Sequence, residues 1–253
     1  MNTSKPLPPN SNPSFVADYA LASVYAAHRS NYDEGPAPAS IAGVCLHTPE
    51  EDADDTESTP VYFAGANRQA SVNYYMDSDG DVIQCVSEAD MPYANGVVGK
   101  PYPAWADPNQ NLNWQTVSIE IEGRAANIQD TLVIGGPQWN GLVALICDRC
   151  TFYNIPMDRE HIIGHYQVST ARTDPGAHFP WADLMTALAQ EDSVTTEEQR
   201  KLDDREARVV LDWLGVQHYN YRLNRDTSML VVYDPVGGAA VATIPIPSFP
   251  PTV

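Results

Sequence analysis

The sequence predicts an α/β domain built on a mixed central β-sheet, followed by a small C-terminal helix-and-hairpin appendage. Three observations predict it. Short apolar runs of strand length occur at 41–47 (IAGVCLH), 115–123 (QTVSIEIEG) and 159–165 (REHIIGH), and near-continuous runs of this kind are the pattern of strands covered on both faces. A Tyr- and Val-rich hairpin spans 71–86 (SVNYYMDSDGDVIQCV), its arms joined across a Ser-Asp-Gly-Asp turn. The stretch 137–154 (PQWNGLVALICDRCTFYN) sets apolar residues at helical spacing behind a proline start, which predicts a long buried helix.

In chain order, residues 1–13 read as a Pro-, Ser- and Asn-rich tail, and 15–29 (FVADYALASVYAAHR) as a short helix of small and apolar residues. Residues 31–40 are turn-forming, and the first buried strand then ends abruptly at His47. Six acidic residues between Glu50 and Glu57 predict a solvated loop. A calcium site there lacks the regular alternation and the glycine of an EF-hand loop. A short helix over 61–70, the hairpin, and a long Pro-, Trp- and Asn-rich loop over about 91–115 follow; loops of that length are often functional. The strand 115–123, the helix 137–154, the strand 159–165 and a closing helix inside 174–190 complete the domain. Beyond it, 191–215 reads as a charged linker entering a helix, with Thr195 or Thr196 as N-cap and Gly215 as stop. Residues 219–247 read as a hairpin over Pro-Val-Gly-Gly. The predicted organisation is therefore a tail and helix over 1–30, the main domain over 31–190 and an acidic appendage over 191–253.

Charge narrows the function. The 253 residues carry 33 Asp+Glu against 14 Lys+Arg, a formal net charge of −19. Such a chain repels phosphate backbones and anionic lipid surfaces, which excludes nucleic acid as an electrostatic partner. No apolar stretch approaches the roughly 20 residues that span a bilayer. The N-terminus has no apolar core behind its single lysine, so no secretory signal is expected. Four cysteines (Cys45, Cys85, Cys147, Cys150) are too few and too irregular for a disulfide scaffold, and read as packed thiols. The Cys147–Cys150 pair has the spacing of a metal or redox motif, but it falls inside a helix with no second pair.

Two of the six histidines, His47 and His165, each close a buried strand, and Asp174 follows nine residues after the second at a Pro-Gly turn. Two imidazoles and a carboxylate converging on one sheet edge are the donor set of a catalytic zinc with one position left open. Residues of these types are also ordinary hydrogen-bonded surface groups, and Asp before Pro-Gly is a common turn, so spacing alone leaves both readings open. His28, at a helix end, His161, at a strand start, and His218, in the appendage, are poorer candidates. His178 lies close enough to Asp174 to be a rival ligand or a substrate contact.

The string LHTPE, the hairpin with its following SEADMPYANG, the strand VSIEIEG and above all IIGHYQVSTARTDPGAHFPW resemble, in order, the signature segments of the zinc-dependent N-acetylmuramoyl-L-alanine amidases. That family includes phage endolysins, wall-recycling amidases and peptidoglycan recognition proteins. The resemblance covers about residues 30–190. It implies helices on both faces of the sheet, a zinc-floored groove, and one Zn2+ per chain on His47, His165 and Asp174. It implies a catalytic carboxylate on Glu120, with Glu122 the alternative because both point to one sheet face, and Arg172 where many relatives have lysine. Asn73 and Asn95 stand where relatives often carry histidine and, with His178, are the implied substrate contacts. The implied substrate is bacterial peptidoglycan, cut between N-acetylmuramic acid and L-alanine. The alternatives are a non-catalytic peptidoglycan-binding module and a virion-associated wall-penetration component. Without a signal, the expected location is a host cytoplasm with holin-type release, or a virion. The C-terminal region is expected to bind wall polymer, to oligomerise or to attach to a particle.

Overall fold

The structure is a computed structural model; it describes residues 7–35, 40–51 and 58–190 and, as backbone strands, 220–224, 229–233 and 240–245. Chain contacts divide it into two compact units, Met1–Ala189 and Gln190–Val253.

Among the described residues of the first unit, eight strands form in chain order: β1 (Ser23–Val24), β2 (Tyr32–Asp33), β3 (Gly43–His47), β4 (Tyr74–Met76), β5 (Val82–Gln84), β6 (Met91–Pro92), β7 (Thr116–Ile121) and β8 (Ile162–Gly164). Six of them make a mixed sheet in the order β1-β5-β4-β7-β3-β8, in which the pairing of β4 with β5, the arms of the predicted hairpin, is antiparallel and the other pairings are parallel. β2 and β6 form a separate two-stranded ribbon. The helices are α1 (Thr59–Ala64), α2 (Ile128–Thr131), α3 (Pro137–Tyr153) and α4 (181–190). None among the described residues is long and apolar enough to cross a membrane.

Alternation of side chains along each strand sorts the sheet into two faces. Val44, Leu46, Tyr74, Met76, Val117, Ile119 and Ile162 point to one face and pack against Leu142, Leu145 and Ile146 of α3 and Leu184 and Leu188 of α4. The opposite face carries two smaller apolar clusters. Tyr75 and Ile83 lie beneath Phe63 of α1, whereas Cys45 and Ile163 lie beneath Leu112 and Ala106 of the long 93–115 loop. Between those two clusters the sheet presents polar side chains. α3 also buries Arg149, which donates to Glu88 at 2.9 Å, and Glu88 accepts further bonds from Tyr74 and Tyr153 at 2.8 Å each. The charge is thus matched and fully hydrogen-bonded inside the core.

The N-terminal segment departs from expectation. Residues 15–29 form no α-helix; Ser23–Val24 pair in parallel with β5, and Tyr25 and Ala27 continue along it through bonds to the carbonyls of Gln84 and Cys85. The alanine-rich composition favours helix, but an open sheet edge offers paired backbone and a place to bury Tyr25 and Ala27, and tertiary pairing overrides local propensity. His28 accordingly ends no helix: its Nδ1 accepts from Ser30 N.

Asn31 then clamps the turn after α1. It is fully buried, its Nδ2 donates to the carbonyls of Phe63 and Gly65, and its Oδ1 accepts from the amides of Arg68 and Gln69. α1 is therefore shorter and earlier than the predicted 61–70, since Pro60 opens it and the chain turns extended at Gly65. The acidic loop is not wholly solvated either. Glu51 is buried and its Oε2 accepts from the amide and hydroxyl of Thr59 at the start of α1.

All four cysteines are buried and unbridged. In the second unit, β9 (Asn220–Asn224), β10 (Met229–Tyr233) and β11 (Ala240–Pro245) form an antiparallel sheet with β10 central, one strand more than the predicted hairpin. The helix expected within 191–215 and His218 lie outside the described residues.

Replacing Asn31 by Ala takes the side-chain partner from the Gly65 carbonyl and the amides of Arg68 and Gln69, while the Phe63 carbonyl keeps the His28 amide, so we expect a loss of about 3 kcal/mol of stability, read from the urea midpoint. A shift below about 0.5 kcal/mol would show that solvent substitutes for the clamp.

Candidate active site

The register of three parallel strands places the site. His47 at the end of β3 lies opposite Glu120 on β7, and Glu120 in turn lies opposite Tyr75 on β4. Leu46 lies opposite Gly164 on β8, so the next residue, His165, emerges beside His47. Paired residues in a parallel ladder face the same way, and a row of polar side chains thus crosses the carboxyl edge of the sheet, where open α/β sheets bind their ligands.

Asp174 reaches this row from the following loop. The amide of Tyr166 donates to the Asp174 carbonyl at 3.1 Å, folding the loop back onto the turn that begins at His165. Two glycines permit the close approach. A side chain on Gly164 would meet Pro175 at 2.7 Å. Gly176 has φ +108, and a side chain there would collide with the Ala125 carbonyl, a conformation and a space open to glycine alone.

Nδ1 of His47 and Nδ1 of His165 stand 3.0 Å apart, and Oδ2 of Asp174 lies 3.1 Å from the second and 3.4 Å from the first. All three residues are buried. His165 Nε2 donates to the backbone carbonyl of Asn95 at 3.1 Å, which leaves its Nδ1 as a lone pair in the neutral ring. Lone pairs of two imidazoles and a carboxylate oxygen therefore converge on one point. Three acceptors facing one another need a cation or a shared proton, and the donor set and its burial suit a divalent transition metal.

Burial lowers the pKa of His47, although hydrogen bonding to Asp174 opposes it. Burial works to raise Asp174, but its bonds to His165 and His47 prevail and hold it well below the usual carboxylate range. Both directions, a His47 that favours the neutral ring and an Asp174 that favours the carboxylate, are the ones metal binding requires.

Glu120 carries an Oε2 that is buried with no hydrogen-bond partner. Burial first, then the negative charges of Asp174 and Glu51, raise its pKa well above the ordinary range, and Arg172 partly offsets them. Glu122 goes elsewhere: its Oε2 accepts from Ser78 N and its backbone amide bonds to Met76, so it belongs to the β4–β5 turn. Arg172 and His178 are exposed on the two arms of the loop around Asp174.

Asn73 and Asn95, expected as substrate contacts, lie in the interior, each 1% exposed. Asn73 Oδ1 accepts from the amide and hydroxyl of Ser118, joining β4 to β7. Asn95 lies behind the histidines. No sequence signal marks either role, because each depends on which strand or loop becomes the neighbour. His161 pairs with Asp158 at 2.7 Å and stacks on Trp105, away from this row.

A mixed sheet with a buried His-His-Asp donor set at its carboxyl edge and a carboxylic acid beside it has the makings of a metal-dependent hydrolase. The family model described as N-acetylmuramoyl-L-alanine amidase matches residues 37–177. That is more than half of the chain, which therefore belongs to this family. The chain is also similar to the selenomethionine derivative of AmpD, at 23% identity over 67% of this chain and 95% of that one, with a TM-score of 0.49. AmiD from E. coli, solved with anhydro-N-acetylmuramic acid-L-Ala-D-γ-Glu-L-Lys, shares 22% identity over 59% of each chain, with a TM-score of 0.46. Staphylococcus aureus AmiA shares 16% identity over 77% of this chain and 98% of its own, with a TM-score of 0.49. No curated protein matches by sequence.

The geometry predicts about one equivalent of tightly bound divalent transition metal. Replacing Asp174 by Ala should weaken binding at least 10-fold in chelator competition, and replacing His165 by Ala should abolish it. Gly176→Ala should also weaken it, by moving the Asp174 loop off Ala125. Wild-type affinity in all three variants would place the metal elsewhere.

Proposed function

We propose that the chain hydrolyses the amide between N-acetylmuramic acid and L-alanine in bacterial peptidoglycan, with one Zn2+ held by His47, His165 and Asp174. The observation that carries this reading is the unpartnered carboxylate of Glu120, set by strand register directly beside the donor set. Family membership supplies the substrate class.

When bound, zinc supplies Lewis acidity toward the scissile carbonyl and lowers the pKa of water from about 15.7 to about 7. Oε2 of Glu120 takes the proton of the attacking water and delivers it to the departing amine nitrogen of L-alanine. Its raised proton affinity suits a group that must hold that proton between the two transfers. Arg172, within electrostatic reach of Glu120, stabilises the negative charge that develops on the carbonyl oxygen. His178, on the same loop, contacts the substrate. A non-catalytic wall-binding module would need neither the complete donor set nor the carboxylate beside it.

We further propose deployment as a phage endolysin, released from the host cytoplasm to the wall. The unit at 190–253 is then the part that holds the enzyme on wall polymer or on a partner. The net charge of −19 removes long-range attraction to an anionic wall, so short-range groove contacts and this unit must provide the attachment.

Glu120→Gln should retain zinc yet lower the release of L-alanine amino termini from purified walls by about 10²–10⁴-fold; mass spectrometry of muropeptides identifies the bond cut. Activity near wild type would assign the proton transfer to another group. Raising salt moderately should leave wall binding unchanged or strengthen it, because like charges are screened. A steep fall in a sedimentation assay would instead reveal a local basic patch.

A further inference from the structure

We infer that Asn95 is a positioning residue for both metal-binding histidines, orienting His165 with its backbone carbonyl and His47 with its side-chain amide oxygen. The inference rests on the metal reading of His47, His165 and Asp174, and it concerns a residue at which the resemblance implied a substrate contact.

Asn95 is 1% exposed. Its backbone amide donates to Asn113 Oδ1 at 2.8 Å, and its carbonyl accepts from His165 Nε2 at 3.1 Å. Its Nδ2 lies 3.0 Å from Thr116 Oγ1, and that hydroxyl donates its single proton to the Leu112 carbonyl at 3.1 Å. Thr116 Oγ1 can therefore only accept from Asn95. This fixes which end of the amide is nitrogen, an assignment that otherwise stays ambiguous. Oδ1 must point away from Thr116.

Besides Oε2 of Glu120, two buried atoms of the site then remain without a hydrogen bond, Oδ1 of Asn95 and Nε2 of His47. They are complementary. Nδ1 of His47 faces His165 and Asp174 at 3.0 and 3.4 Å, so a metal-binding His47 carries its proton on Nε2 and needs an acceptor there. A hydrogen bond from Nε2 of His47 to Oδ1 of Asn95 satisfies both atoms. A single residue thereby sets the tautomer of both rings, and the two histidines cannot rotate independently. Partners of this kind commonly contribute 10–100-fold to metal affinity.

The test measures Zn2+ affinity of the full chain by competition with a chromophoric chelator, alongside the Co2+ ligand-field spectrum. Asn95→Leu keeps the volume and the backbone carbonyl but removes the amide; we expect a 10–100-fold loss of Zn2+ affinity and an altered Co2+ spectrum. Asn95→Asp restores an oxygen toward His47 and should return affinity to within a few-fold of wild type. Thr116→Val frees the amide to rotate and should weaken binding several-fold, which keeps the inference testable if Asn95→Leu does not fold. A role in packing alone predicts the opposite order, with Leu tolerated and Asp harmful. Zn2+ affinity within two-fold of wild type in both Asn95→Leu and Thr116→Val would overturn the inference. Wild-type affinity in His165→Ala would instead overturn the metal reading beneath it.

Discussion

The parallel register of β3 against β7 and β8 is the constraint on which the rest of this structure depends. It sets His47 opposite Glu120, and brings His165 out one residue past the Leu46–Gly164 pair. A slip of one residue would turn every side chain of β3 to the other face, putting His47 into the apolar layer under α3 and the leucine next to it into the groove. The packing of Val44, Leu46, Val117 and Ile119 against α3 therefore stabilises the domain and also holds ligands and carboxylate in one row. Stability and chemistry rest on the same contacts.

Around that row the chain places polar groups that carry backbone or ligand orientation rather than solvent contact. Asn31 closes the turn after α1, Glu51 caps α1, Asn73 joins β4 to β7, and Asn95 lies behind the histidines. Each is buried, and a buried amide or carboxylate is tolerated only where its hydrogen bonds are made. Not every such atom is paired: Oε2 of Glu120, Oε1 of Glu51 and Oδ1 of Asn95 are buried without a partner. Asn31 and Asn73 are satisfied within the chain, whereas the open atoms of Asn95, His47 and Glu120 gather at the row itself.

Charge has a local as well as a global meaning here. The acidic excess lies largely outside the row of functional side chains, yet Asp174, Glu51 and Glu50 all act on Glu120 and raise its proton affinity, with Arg172 as the opposing cation. A positive metal ion in the donor set would counter the same field and lower the proton affinity of Glu120 through space.

Strand-length apolar runs, a Ser-Asp-Gly-Asp turn and a proline-started apolar helix were legible because each depends on residues close together in sequence. The family motif likewise carried His47, His165, Asp174 and Glu120 as candidates, since their spacing within short segments is what defines it. The extended course of residues 15–29, the length of α1, the burial of Glu51 and the separate fates of Glu120 and Glu122 were not legible. Local propensity favoured helix for the first, and strand alternation treated the two glutamates alike. Only the folded chain supplied the open edge of β5, the Ser78 amide that binds Glu122 and the Thr116 hydroxyl that fixes Asn95. The sequence by itself determined which chemical groups the site contains. The tertiary structure decided which of them meet, because hydrogen-bond partners distant in the chain become neighbours only when the sheet is assembled.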